Sequence, residues 1–228
     1  SGKALELNRS RGAIALTSSV LRIIVFGAIL LASACGQERV SQDGSETGMS
    51  ENRTKMIVAE ADLDAWFTTG GRFGETHFST LNQINRETVS ELGFAWDYDL
   101  FTTRGIESTP VIVDGVAFGT GTWGTTFAID AKTGAEKWVF VPEVDGQFAK
   151  DACCDIVNRG VAVWNGLVFV GALDGVLYAL DQETGEIVWQ ADTFEGEPGR
   201  KTITGAPRVA GDVVVIGFGG AEMNARGY

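Results

Sequence analysis

Two stretches of this 228-residue chain repeat each other at one constant offset, and no other feature restricts the fold as strongly. Asp114-Gly115-Val116-Ala117-Phe118 leads to Phe127-Ala128-Ile129-Asp130-Ala131-Lys132-Thr133-Gly134 and then Trp138. Asn165-Gly166-Leu167-Val168-Phe169 leads to Tyr178-Ala179-Leu180-Asp181-Gln182-Glu183-Thr184-Gly185 and then Trp189, each position 51 residues after its counterpart. Each unit reads as strand, hairpin, strand, turn, strand. In Asp-x-x-Thr-Gly, Asp and Thr can bond nearby backbone and Gly accepts positive φ, so the segment is a turn. A third unit opens at Ala210-Gly211-Asp212-Val213-Val214-Val215-Ile216. All-β repeats of roughly 40 to 50 residues read as propeller blades, each burying a face only when a neighbour stacks on it. Two units and part of a third cannot close a ring of typically four to eight blades. The expectation is an all-β, partial propeller of about three blades, a piece of a longer protein. A short helix is expected only at residues 81–92.

Composition agrees with this reading. Gly is 30 residues and Pro only 4, so the glycines serve tight turns and not a Pro/Gly low-complexity tract. With Lys plus Arg at 18 and Asp plus Glu at 30, the formal net charge is −12, which argues against nucleic acid as a partner. One His and three Cys make a zinc site improbable.

The first 61 residues have a different character. Arg9, Arg11 and Arg22 precede the apolar run Ile23 to Leu31, and Ala32-Ser33-Ala34-Cys35-Gly36 follows. Basic residues, a short apolar stretch and small residues before a cleavage point form a secretory signal, too short for a comfortable membrane span. The signal is expected over residues 1–35, ending in a lipobox-like Cys35 that would be lipidated and anchor the protein; the alternative is an ordinary signal with an incidental Cys. Residues 36–61, rich in Ser, Gly, Glu and Asp, read as a flexible tether. Residues 62–228 form the incomplete propeller domain. An exported, periplasmic location follows.

Cys153 and Cys154 are adjacent. They can join only through a small strained ring. Read from the residues alone, the alternatives are two reduced buried thiols or pairing with another chain, although an oxidising compartment favours oxidation.

Asp151-Ala152-Cys153-Cys154-Asp155-Ile156-Val157-Asn158-Arg159-Gly160, with Leu173-Asp174-Gly175 and the repeated Asp-x-x-Thr-Gly-x-x-x-Trp, resembles the quinoprotein alcohol dehydrogenases. Gln83-Ile84-Asn85, Arg104-Gly105-Ile106-Glu107-Ser108-Thr109-Pro110, Thr202-Ile203-Thr204-Gly205-Ala206-Pro207 and Gly219-Gly220-Ala221-Glu222 extend the resemblance in the family's order from about Asp62 to Tyr228. The resemblance implies an eight-bladed propeller carrying pyrroloquinoline quinone and calcium or a lanthanide. It implies that Glu107 bonds the quinone, that Cys153 and Cys154 form a vicinal disulfide over one face of its rings, and that Arg159 holds its oxygens. Thr204 would contact a cofactor carboxylate, Gly220 and Ala221 would offer backbone contacts, and Glu222 would ligate the metal.

These residue types suit the task. Arg presents a fixed fork of donors to carboxylate and quinone oxygens, Gly admits close backbone approach, and calcium takes hard oxygen ligands. The family's remaining metal ligands and its aspartate general base have no counterpart up to Tyr228, so no residue here is assigned a catalytic role. The implied reaction is oxidation of a small alcohol by hydride transfer, with electrons passed to a cytochrome or a membrane quinone. In some relatives a haem c sits in a later domain. The competing reading is a non-enzymatic propeller lipoprotein that scaffolds outer-membrane assembly. It accounts for the repeat and Cys35, but not for the Cys pair, Arg159 or the Gly-Gly-Ala-Glu segment.

Overall fold

The computed structural model describes residues 2–6, 62, 65–150, 152, 154–196 and 200–226. The expected signal, Cys35, the tether and Cys153 lie outside the described residues, apart from residues 2–6. Eleven strands are formed among the described residues: β1 (Gly2–Glu6), β2 (Val111–Val113), β3 (Val116–Thr120), β4 (Thr126–Asp130), β5 (Glu136–Phe140), β6 (Ala162–Trp164), β7 (Leu167–Gly171), β8 (Val176–Asp181), β9 (Ile187–Asp192), β10 (Arg208–Ala210) and β11 (Val213–Gly217). They build two four-stranded antiparallel meanders, β2-β3-β4-β5 and β6-β7-β8-β9, and a third sheet ordered β1-β11-β10.

The two meanders are copies in register. Ala128 faces Trp138 across β4 and β5, and Ala179 faces Trp189 across β8 and β9. Each last pair carries a register shift at the same place, after Ala128 and after Ala179. Each first hairpin turns on two residues with positive φ, Asp114 (51°) and Gly115 (73°), then Asn165 (52°) and Gly166 (78°). Two successive left-handed residues give the turn whose twist matches the flanking strands, and Asp-Gly and Asn-Gly are the pairs that form it most readily.

Packing between blades explains the nearly continuous apolar strands of the second meander. Val168, Val170, Tyr178 and Leu180 face the first blade, joining Val111, Phe118, Ala128 and Trp138. The alternate residues Phe169, Leu177 and Ala179 face the third sheet, joining Phe194, Ile203, Val214 and Ile216. A strand buried on both faces has no polar side to show. Trp138 lies 6.0 Å from Phe118, and Trp189 lies 5.9 Å from Phe169, at nearly the same tilt. Trp138 also donates from its indole N–H to the Gln182 carbonyl at 3.0 Å, which ties the first blade to the turn of the second.

A third docking aromatic comes from the segment before the first blade. Trp96, Tyr98 and Leu100 are half-buried at alternate positions. A Cβ on Gly134 would sit 2.7 Å from the Trp96 ring, just as one on Gly185 would sit 2.6 Å from Trp138. Tyr98 donates to Glu136 at 2.5 Å, and burial, helped by that carboxylate, pushes its hydroxyl up to about 12.

One expectation needs adjustment. Residues 81–92 hold no α-helix; only Val89–Glu91 makes a 3-10 turn. The Asn85 carboxamide oxygen accepts from the Glu87 and Thr88 amides, and Thr88 Oγ1 donates to the Gln83 carbonyl. Short polar side chains that bond nearby backbone compete with the helical ladder. Residues 2–6 pair antiparallel with β11 from Gly2 opposite Gly217 to Glu6 opposite Val213. The edge of β11 away from β10 offers a row of backbone donors and acceptors, which accepts a strand of almost any sequence.

Candidate functional site

β2, β6 and β10 open their sheets and lie beside one another. The segments entering them therefore arrive at one end of the molecule. Glu107 precedes β2 by four residues, Arg159 precedes β6 by three, and Thr204 precedes β10 by four. These three side chains meet. Arg159 Nη2 lies 2.7 Å from Glu107 Oε2, and Arg159 Nη1 donates to Thr204 Oγ1 at 2.6 Å. The Arg159 amide donates to the Thr204 carbonyl at 2.9 Å, so backbone as well as side chain joins the second and third segments. The ion pair is half-exposed, with Arg159 at 40% and Glu107 at 44%. A guanidinium has five donors in a fixed plane, so it retains capacity for further acceptors on its open side.

Beneath this surface lies a buried polar network. Asn158 is 2% exposed. Its Nδ2 donates to the Gly171 carbonyl at 2.7 Å, its Oδ1 accepts from the Gly160 amide at 3.1 Å, and its own carbonyl accepts from Thr120 Oγ1 at 3.3 Å. The Thr120 amide in turn donates to Ser108 Oγ at 3.0 Å. Gly160 is required as glycine: its φ is 124°, and a Cβ would come within 3.2 Å of the Thr109 carbonyl. Asn158 and Ser108 carried no assigned role in the sequence, although both stand within the quoted motifs. Thr120 gave no signal at all.

Cys154 is disulfide-bonded. Next to it, Asp155 (φ 63°) receives Arg104 Nη1 on both carboxylate oxygens, at 2.5 and 2.6 Å. The Arg104 hydrogen bond holds the Asp155 carboxyl below the usual carboxylate range. Arg104 and Asp155 stand 51 residues apart, so equivalent positions of the repeat carry opposite charges and pair with each other. That signal was present in the sequence.

The third segment is held on two sides. Thr202 and Gly219 exchange backbone hydrogen bonds at 3.2 and 2.8 Å, and the Ile203 amide donates to the Leu173 carbonyl at 3.3 Å. Lys201, 5% exposed, places its ammonium 5.9 Å from the Phe194 ring centre and 5.4 Å from that of Phe218. Gly220 has φ 135°, and a Cβ there would meet the Arg200 carbonyl at 2.4 Å, so only glycine fits. Asp174, beside Leu173, has its carboxyl pushed up, mainly by burial.

Ala221 and Glu222 follow in a 3-10 turn, and both are exposed. The pairing of Gly219 with Thr202 brings this turn to the segment that carries Thr204. Among the described residues no group of three His, Cys, Asp or Glu side chains gathers round Glu222 or elsewhere. A cavity of about 650 Å³ lies away from these residues, between Ala65, Phe67 and Phe73 on one side and Val113, Val163 and Trp164 on the other.

Residues 66–225 match the family described as "Glucose/ethanol/alcohol dehydrogenase, beta-propeller domain" of the PQQ type. The quinohemoprotein alcohol dehydrogenase of Comamonas testosteroni is 51% identical over 163 residues, covering 72% of this chain and 23% of that protein. Its crystal structure matches with a TM-score of 0.71 over 77% of this chain and 28% of that one, at 45% identity. The 1-butanol dehydrogenase (cytochrome c) of Thauera butanivorans is 49% identical, covering 72% of this chain and 24% of that protein. A europium-containing methanol dehydrogenase matches with a TM-score of 0.69 at 35% identity, over 74% of this chain and 30% of that one. The chain thus spans about a quarter of the length of these relatives. With the repeated meanders in register and the matched segments meeting at the strand ends, the chain belongs to the PQQ β-propeller domain family of the glucose, ethanol and alcohol dehydrogenases.

Proposed function

We propose that this chain is part of an exported quinoprotein dehydrogenase that oxidises small alcohols, using pyrroloquinoline quinone and calcium or a lanthanide. The observation that carries the proposal is the meeting of Glu107, Arg159 and Thr204 at 2.6 to 2.7 Å from three separate segments. The donor set fits the group. A planar polyanion with quinone oxygens wants a flat fork of donors, a hydroxyl and a close backbone approach. Arg159, Thr204 and the Gly220 bend are of those types. When bound, the quinone supplies a two-electron hydride acceptor.

The protein's own residues have separable tasks. Arg159 binds and orients acceptor oxygens. Glu107 fixes the guanidinium on one side and can accept from a donor on the ligand. Thr204 fixes it on the other side and points its hydroxyl at the same surface. Cys154, joined to Cys153 in this reading, would give the ligand a flat apolar wall. Glu222 would supply one hard oxygen to the metal. The proton acceptor for the alcohol is assigned to a part of the protein beyond these residues, as is any haem c. The Thauera relative's named cytochrome c supports a cytochrome as the electron acceptor. Periplasmic location rests on the signal-like sequence, and Cys35 is the proposed lipid anchor.

The test is reconstitution of the full-length apo-protein. Pyrroloquinoline quinone with calcium, or with a lanthanide, should give dye reduction driven by short primary alcohols. Absence of quinone binding with either metal at saturating cofactor would overturn the proposal. Capture of a membrane-assembly partner by the same protein would favour the scaffold reading instead.

A further inference from the structure

We propose that buried Asn158 and Thr120, with half-buried Ser108, form a positioning network that fixes the Glu107–Arg159 pair in its binding geometry. The proposal rests on the quinone-binding reading for its functional consequence. The two members of the pair sit on different segments, and each is flanked by a network residue: Ser108 follows Glu107, and Asn158 precedes Arg159. Thr120, at the end of β3, joins them. Its amide holds Ser108 Oγ at 3.0 Å and its hydroxyl holds the Asn158 carbonyl at 3.3 Å. Asn158 then anchors to the end of β7 through the Gly171 carbonyl and closes its own turn through the Gly160 amide.

Thr120 and Asn158 are 0% and 2% exposed, whereas the pair above them is half-exposed. A half-exposed ion pair between long side chains gains little and wanders unless its backbone is held. A buried, fully bonded network is the means of holding it, since every broken bond there leaves an unsatisfied group. The network thus couples the ends of two blades to the orientation of one guanidinium. Thr120 and Asn158 lie buried beneath the pair and act through it, so they are positioning residues.

Thr120→Val keeps the side-chain shape and removes the hydroxyl donor, and Thr120→Ser restores it. In the full-length apo-protein, two readouts are taken with thermal melting as a control. The first is quinone affinity by equilibrium titration, in the parent and in an Arg159→Ala background. Thr120→Val should weaken binding about fivefold to tenfold, the worth of one net hydrogen bond. Thr120→Ser should bind within about twofold of the parent, and Asn158→Ala should lose at least as much as Thr120→Val. In the Arg159→Ala background the Thr120→Val effect should vanish, because residues acting through one group are not additive.

The second readout is hydrogen exchange, which needs no quinone. Thr120→Val should speed exchange of the Arg159 and Gly160 amides while leaving those of β7 and β8 protected. Equal affinity in parent and Thr120→Val, an equal loss with and without Arg159, or faster exchange spread over the whole blade would each overturn the positioning role. If the parent binds no quinone, the functional reading falls, and the exchange pattern alone decides the positioning.

Discussion

The two blades copy one another at one end and diverge at the other. At the turn end, Asp130 Oδ1 accepts from the Lys132 and Thr133 amides and the Thr133 hydroxyl, and Asp181 Oδ1 accepts from the Glu183 and Thr184 amides and the Thr184 hydroxyl. Ala131 and Gln182 each donate to the glycine of the preceding hairpin, at 2.9 and 3.0 Å. At the opposite end the same offset relates unlike residues: Ser108 with Arg159, Arg104 with Asp155, Thr120 with Gly171. Of these, Arg104 and Asp155 bond to each other across the blades, and Thr120 reaches the second blade through the Asn158 carbonyl. The difference teaches that the repeat supplies a scaffold whose turn end must be uniform for blades to stack, while its other end is released to vary and carries the proposed ligand site.

Five substitutions test how far the uniform end is scaffold alone. The largest effect is expected for Trp138→Ala, which removes a buried ring packed on Phe118 and over Gly185 together with its hydrogen bond to Gln182. It should cost about 3–5 kcal/mol of stability by denaturant unfolding of the full-length protein. Quinone affinity in the molecules that remain folded should be unchanged; a specific loss of affinity at full stability would break the separation of the two ends.

Gly185→Ala should come next. Its φ of 74° and a Cβ only 2.6 Å from Trp138 impose both backbone strain and a clash. The expected cost is about 1–3 kcal/mol. Gly134→Ala, clashing with Trp96 at 2.7 Å, should cost about as much, within roughly 0.5 kcal/mol. Unequal costs would show that the segment before the first blade docks less firmly than a true blade.

The smallest effect concerns Asp130 and Asp181. Thr133, by side chain and then backbone, holds the Asp130 carboxyl below its ordinary value; the Thr184 and Glu183 amides lead the same effect on Asp181. A carboxyl whose pKa is lowered by folding adds stability above its unfolded value, and that stability is lost as the pH falls through the lowered folded value. The loss therefore lies below pH 3.8, the ordinary value. Asp130→Asn and Asp181→Asn should each flatten acid unfolding in that window by a small and equal amount, measured by melting temperature against pH. A difference between the two variants would mean that the turns are not equivalent in solution.

Much of the fold was legible in local residues. The constant offset, the Asp-Gly and Asn-Gly hairpins, the Asp-x-x-Thr-Gly turns and the two Trp positions act over a few residues each, through φ preferences and short-range hydrogen bonds. The quoted motifs also pointed to Glu107, Arg159 and Thr204. The helix at residues 81–92 was misread because Asn85 and Thr88 spend their polar groups on local backbone.

The sequence by itself determined the blade, because a blade is built from neighbours in the chain. Only the tertiary structure decided that Glu107, Arg159 and Thr204 touch, since they stand 52 and 45 residues apart and no local preference reaches that far. The same holds for Thr120, whose hydroxyl looks like any strand Thr until β3 ends against Asn158. It holds too for residues 2–6, which join β11 because a strand edge selects a partner by backbone groups and not by side chains. Contact between distant segments is set by the stacking of blades, and that stacking is a property of the assembled sheets.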